Sequence, residues 1–345
     1  VTPSVFARPR LGALIVGALA LAGCAAPPEP AAAGEAAATR VNCGIEVAVD
    51  GPPQRIYAAY QPSIEIAHAL GVTDRLAGTA FLDAAVLPEY QEAQARSAYV
   101  ERLPSRDELL AQNPDFVLSG YNGMFAESAQ SSVGTRASLH GLGVRTWVLS
   151  PLCPSADGLA DEAIDPATVR FDNVYADLRD LGALWGVSER AEQVVTDLSA
   201  RIDAVRATVA GAERPRVAVV TPRDDGTYSI ASGIDFVTQL IEAAGGVNVF
   251  EDRTERRNIQ IGAEELIARD PDIILTSLCC QATYTRADAQ PQADKILTDP
   301  AFANLTAVRE RAVHPFLFAD RAVGVRLAHA TELVARLIHP DLFGG

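Results

Sequence analysis

The sequence predicts an α/β protein of two βαβ lobes with parallel sheets, joined by a single long helix and separated by a cleft. Three observations carry this. The segment Asp107-Glu-Leu-Leu-Ala-Gln-Asn-Pro-Asp-Phe-Val-Leu-Ser119 recurs as Glu264-Glu-Leu-Ile-Ala-Arg-Asp-Pro-Asp-Ile-Ile-Leu-Thr276, with conservative changes nearly throughout. Each copy lies downstream of a strand, a helix and a helix-ending glycine. A long run of helical periodicity separates the two halves.

In each copy an acidic residue sits in the first turn of a short helix, where it suits the positive end of the helix dipole. Pro114 and Pro271 stop that helix, and a β-branched apolar run follows as a buried parallel strand. Upstream, Arg55 to Ala59 reads as a strand, Ser63 to Leu70 as a helix and Gly71 as its C′ residue. The second half repeats this with a strand from Arg216 to Val220, a helix from Phe236 to Ala244 and the stop Gly245-Gly246. Strands alternating with helices imply right-handed crossovers and a parallel sheet in each half. Between the halves, Val174, Leu178, Leu181, Leu184 and Trp185 keep helical spacing, as do Val194, Val195, Leu198, Ile202 and Val205. Gly186 marks a break, with Ser188 as the cap of the second segment. The lobes are expected over 41–170 and 213–345, with the linker helix over 171–212.

The first residues read as an export signal: Arg8 and Arg10 precede an apolar run from Leu11 to Ala22, too short to span a bilayer. Residues 1–23 form that signal, and Leu21-Ala22-Gly23-Cys24 matches a bacterial lipobox, which makes Cys24 the lipidation site. Residues 24–40, almost all Ala, Pro, Glu and Gly at first, cannot bury a core and are expected to be a disordered tether. The chain is thus expected on the extracytoplasmic face of a cell membrane, held by lipid. The net charge of −15 argues against a nucleic-acid partner. With Cys24 lipidated, Cys43, Cys153, Cys279 and Cys280 allow three connectivities in an oxidising compartment. A Cys43–Cys153 bridge is favoured. The pair Cys279-Cys280 is left open between a mutual bridge and two thiols at a strand end.

Pro62-Ser63-Ile-Glu65, Ala69-Leu70-Gly71-Val72-Thr-Asp-Arg75, Leu184-Trp-Gly-Val-Ser-Glu-Arg-Ala191, Ala244-Gly-Gly-Val-Asn248, Ala307-Val-Arg309 and Leu337-Ile-His-Pro340 carry a resemblance. Taken in order, they resemble ABC-importer solute-binding proteins for ferric siderophores, haem and cobalamin, over Val47 to Phe343. Asn42-Cys43-Gly44 with the later Cys153 resembles an actinobacterial branch of iron-complex binders. The resemblance implies a non-enzymatic, monomeric binding protein that needs no cofactor, takes its ligand between the lobes and hands it to an ABC permease. It also implies that one acid per lobe docks on permease arginines: Asp107 or Glu108 in the first lobe, Glu264 in the second.

In open α/β sheets a ligand meets the carboxyl ends of the strands. That rule selects Tyr60, Gln61, Phe81, Asp83, Tyr121 and Asn122 from the first half, and Arg223, Tyr228, Arg256, Arg257, Tyr284 and Arg321 from the second. The aromatics suit a bulky ligand. The arginines suit its anionic groups through planar, bidentate contacts. A ferric siderophore is the first expectation, with haem, cobalamin or a phosphorylated cofactor precursor as alternatives. Bare-metal capture would need converging histidines, yet His68, His140, His314, His329 and His339 fall mostly inside elements, and Glu65 with His68 reads as a solvated helix face. The chain has no Gly-x-Ser-x-Gly elbow and no His-Glu-x-x-His helix, and Gly141-Leu-Gly143 reads as a helix end, not a dinucleotide turn.

Overall fold

The computed structural model describes residues 37–126, 133–155 and 164–344, which form two α/β lobes with linking helices. The predicted signal segment and Cys24 lie outside the described residues. The chain enters the fold earlier than its composition suggests. Strand β1 (Ala38–Asn42) pairs antiparallel with β2 (Ile45–Val49), so the last residues assigned to the tether are ordered strand. The turn is the two-residue Cys43-Gly44, with φ of +48° and +75° as tight hairpins demand. Arg40 anchors the hairpin to the linker through Asp180 at 2.7 Å.

The first lobe holds β3 (Ile56–Ala59), β4 (Leu76–Ala80), β5 (Tyr99–Val100), β6 (Phe116–Ser119) and β7 (Arg145–Val148). They run parallel in the order β5-β4-β3-β6-β7. The order reverses between β3 and β6, which leaves a crevice at their carboxyl ends.

The second lobe holds β8 (Arg216–Pro222), β9 (Tyr228–Ala231), β10 (Val247–Asn248), β11 (Asn258–Ile261), β12 (Ile273–Leu278) and β13 (Val313–Leu317). Its order is β11-β9-β8-β12-β13, with β10 also against β8. This sheet is mixed rather than parallel, because β9 runs antiparallel to both β8 and β11. The connection from Arg223 to Thr227 closes on itself through a 2.9 Å backbone bond and is too short for a parallel crossover.

The sequence repeat is a repeated corner. After each proline, an aspartate carboxylate accepts backbone N–H groups at the start of the neighbouring strand: Asp115 from Gln54 and Arg55 at 2.7 and 3.0 Å, Asp272 from Arg216 at 2.8 Å. The side chain of that same arginine covers the helix-end carbonyls. Arg55 donates to those of Gln112 and Asn113, and Arg216 to those of Arg269 and Asp270. This satisfies acceptors a helix terminus otherwise leaves open.

The link is a pair of helices, Phe171–Leu184 and Ser188–Thr208, broken at Gly186 where φ is +70°. Ser188 is the first helical residue and makes no capping bond; Val187 occupies the cap position. The two helices touch at Gly182, where a Cβ would lie 2.4 Å from that of Ala191. The second helix has 21 residues, about 31 Å long. It reaches both lobes, through Arg190 to the Ala69 carbonyl at 2.8 Å and Arg201 to Glu332 at 2.8 Å. One apolar core runs through first lobe, linker and second lobe, taking in Val117, Leu198 and Leu275, while a second core lies in the second lobe around Phe250 and Phe302.

Candidate functional site

Between the lobes lies a cleft of about 240 Å³. The first lobe supplies residues that follow its strands: Tyr60 and Pro62 after β3, Phe81 and Asp83 after β4, Gly120 and Tyr121 after β6, and Leu152 after β7. The second supplies Cys279 and Cys280 after β12, Phe318, Ala322 and Val323 after β13, and Arg257 before β11. The first-lobe wall is aromatic, with the Tyr60 ring packed at a tilt 5.1 Å from that of Phe81 and 5.0 Å from that of Tyr121. Tyr60, Phe81 and Cys280 hold φ of +72°, +62° and +84°. Non-glycine residues in that region carry a conformational cost of order 1–3 kcal/mol and concentrate where a site over-determines the backbone.

Of the twelve ligand residues selected from the sequence, this cleft brings together Tyr60, Phe81, Asp83, Tyr121 and Arg257. Gln61 stands behind them: its side-chain oxygen accepts the N–H groups of Asp83 and Ala84 at 3.1 and 3.2 Å and so shapes the loop that carries Asp83. Asn122 is buried, donates to the Leu152 carbonyl at 2.9 Å and faces a separate pocket beside Cys43. Tyr284 lines a separate groove between the lobes, with Leu87 and His329. Tyr228 is packed in the second-lobe core, 5.2 Å from the Phe302 ring, and its hydroxyl bonds Asp299 at 3.2 Å.

The arginines do not converge as a group. Arg223 and Arg256 are exposed and do not line the cleft. Arg321 is 2 % exposed and is spent on Asp235 at 2.5 Å and on the Asn258 side chain at 2.7 Å. Only Arg257 reaches the cleft wall, paired with Asp235 at 2.8 Å and lying 5.2 Å over the Phe318 ring. Asp235 is fully buried, which by itself would raise its pKa, but Arg321 and Arg257 outweigh burial and hold it below the usual carboxylate range. Asp83 moves the other way. Burial pushes it up to about 6, with the charges of Arg257, Arg326 and Arg321 offsetting part of that shift.

The lobes are clasped beside the cleft by a buried ionic cluster. Arg326 donates to both carboxylate oxygens of Glu65, at 2.6 and 3.1 Å, to Asp320 at 2.9 Å and to the Ala85 carbonyl at 2.8 Å. Glu65 is therefore not on a solvated face. It has no exposed surface and also accepts the Leu87 N–H at 3.0 Å. His68, its predicted companion, bonds Thr73 and Gln94, each at 2.9 Å.

Two disulfides are present. Cys43–Cys153 forms as favoured, with Cα atoms 5.3 Å apart, and ties the entry hairpin to the segment after β7. Cys279 and Cys280 bridge each other, and this pair lines the cleft. Sequence reasoning missed the Cys279-Cys280 pair and Phe318 as cleft residues, although each directly follows a strand.

The two helix-start acids are arranged alike. In the first lobe Asp107 is exposed and makes no ion pair among the described residues, while Glu108 caps its own helix by accepting the Ser105 N–H at 2.8 Å and pairs with Arg102. In the second lobe Glu264 is exposed without an ion pair among the described residues, and Glu265 pairs with Arg253. No helix among the described residues is long and apolar enough to cross a membrane.

The chain is similar to an uncharacterized ABC transporter substrate-binding lipoprotein, YvrC, of Bacillus subtilis, at 22 % identity over 96 % of each chain. A periplasmic binding protein from Veillonella parvula superimposes with a TM-score of 0.74 at 22 % identity, covering 88 % of this chain and 98 % of that one. A structure described as an ABC-type Fe3+-hydroxamate transport system, from Saccharomonospora viridis, gives 0.69 at 25 % identity, over 89 % and 99 %. The periplasmic binding protein profile matches residues 56–314, so with its two lobes, helical link and interlobe cleft the chain belongs to the periplasmic binding protein family, whose members bind rather than transform their ligands.

Proposed function

We propose that this chain is the lipid-tethered, extracytoplasmic substrate-binding component of an ABC importer, and that its cleft takes an iron complex, a ferric hydroxamate siderophore first among them. The observation that carries this reading is the interlobe cleft itself, walled by Tyr60, Phe81 and Tyr121 on one side and Phe318 on the other. The cleft's volume falls below the roughly 300–1,000 Å³ of typical enclosed small-molecule sites, so a siderophore seated there leaves part of itself in solvent. The similarity to the Fe3+-hydroxamate protein supports iron as the cargo. A single wall cation, Arg257, already paired with Asp235, favours a complex of low net charge over a polyphosphate.

Delivery would use the exposed, unpaired acids. Since Glu108 and Glu265 are held by Arg102 and Arg253, Asp107 and Glu264 are the groups left to meet permease arginines. The test combines titration of the full chain with a ferric trihydroxamate and uptake of the same complex by cells. Phe81→Ala is expected to weaken binding at least tenfold. Asp107→Arg with Glu264→Arg is expected to abolish uptake and leave the Kd unchanged. Haemin bound in place of the hydroxamate would overturn the iron-siderophore reading, and unimpaired uptake by the double variant would overturn the docking assignment.

A further inference from the structure

The cleft contains a set of donors that recognition of an organic iron complex does not call for. The Sγ atoms of Cys279 and Cys280 and a carboxylate oxygen of Asp83 all lie within 4.8 Å of one another. Asp83 comes from the first lobe and the cysteines from the second, so these atoms face each other across the lobe junction. Asp83 is 5 % exposed, and among the described residues its carboxylate makes no hydrogen bond and no ion pair. An ionisable side chain that deeply buried is ordinarily partnered.

The backbone around these donors is fixed from both sides. The Cys280 N–H donates to the Asp83 carbonyl at 3.0 Å, and two residues on the Ala85 N–H donates to the Tyr284 carbonyl at 3.0 Å. Gln61 holds the Asp83 and Ala84 N–H groups from behind. The backbone that carries the three donors is therefore held on both sides of the junction.

We propose that, when the Cys279–Cys280 bridge is reduced, the two thiolates and the Asp83 carboxylate form a site for a thiophilic divalent cation spanning the two lobes. A dithiol reductant supplies two electrons and two protons, the S–S bond breaks, two thiols form and the reductant leaves as its own disulfide. The cation then binds with loss of both thiol protons. Two sulfurs and one oxygen suit zinc, whose bonds of about 2.3 Å to sulfur and 2.0 Å to oxygen place tetrahedral ligands roughly 3.5 Å apart, and cadmium, a softer and larger ion of the same charge, serves as its probe. In the oxidised state both sulfurs are tied to each other and the site is closed to metal. The inference rests on cleft geometry alone and holds whichever organic ligand the cleft accepts.

The experiment measures Cd2+ binding to the full chain by equilibrium dialysis, with thiolate-to-metal absorption as the second readout. One sample is kept oxidised; another is reduced with a phosphine that is then removed without air. The reduced chain should bind one Cd2+ with thiolate absorption, and the oxidised chain none. Cys279→Ser with Cys280→Ser, which keeps the Cys43–Cys153 pair, should abolish binding after reduction. Asp83→Asn should weaken it at least tenfold. Equal binding by the oxidised chain or by the double-serine chain, or no binding by the reduced chain, would overturn the proposal. Reduction also opens Cys43–Cys153, so the site is read from the difference between the reduced parent and the reduced Cys279→Ser/Cys280→Ser chain, each checked by circular dichroism for a native fold. Hydroxamate titration of the oxidised chain reads the transport proposal separately.

Discussion

Replacing Arg326 by Met tests the lobe clasp most severely. The guanidinium makes four bonds, two to Glu65, one to Asp320 and one to the Ala85 carbonyl, from a side chain 5 % exposed. Methionine fills much of the volume but leaves the Glu65 and Asp320 carboxylates buried without a cation. Removing one partner of a buried ion pair costs about 3–5 kcal/mol, because the remaining charge keeps its desolvation penalty. Against a total stability of roughly 5–15 kcal/mol, that is about a fifth of the margin or more. Glu65→Gln should cost less, about 1.5–3 kcal/mol, since Arg326 keeps Asp320 and the Gln oxygen still accepts from Leu87. Urea unfolding at neutral pH, followed by circular dichroism, gives both values. A loss under about 1 kcal/mol for Arg326→Met, or a larger loss for Glu65→Gln, would refute the claim that this cluster holds the lobes together.

Further predictions follow from the same geometry. Asp235 is held ionised by Arg321 and Arg257 with its pKa below the usual carboxylate range. Its contribution is therefore complete above that range and lost as pH falls through the depressed value. Asp235→Asn should destabilise at neutral pH by about 3–5 kcal/mol and flatten the acid limb of a stability–pH profile; an unchanged acid limb would contradict the assignment. Replacing Cys43 and Cys153 by Ser opens a loop spanning 110 positions and should cost about 2–5 kcal/mol by thermal or urea unfolding. A loss near zero would show that the entry hairpin is held by its backbone pairing and Arg40 alone.

The parts legible in the sequence are those built from local chemistry. The repeated helix–proline–aspartate–strand run is visible because each aspartate and its strand-start arginine rebuild one corner, and every participant belongs to the repeat or the adjacent strand. The helix ends at Gly71 and Gly245 are visible because φ of +75° and +84° favours glycine. What failed depends on contacts between lobes. Glu65 and His68 share a helical spacing that looks solvated, but the whole helix Gln61–Ala69 is buried, and the cation for Glu65 comes from Arg326, 261 positions away. The four arginines share a composition but not a place: one strand reversal puts Tyr228 into the second-lobe core, and Asp235 draws Arg321 inward. Adjacency of Cys279 and Cys280 shows in the sequence, but the opposing Asp83 does not, because that neighbour comes from the other lobe.

The most direct test of the central claim is native mass spectrometry of the chain purified from iron-starved host cells. The transport account predicts one iron-containing small molecule per chain, released when Phe81→Ala and Tyr121→Ala open the aromatic wall. A chain that carries no iron complex and binds no ferric trihydroxamate when one is supplied would contradict it.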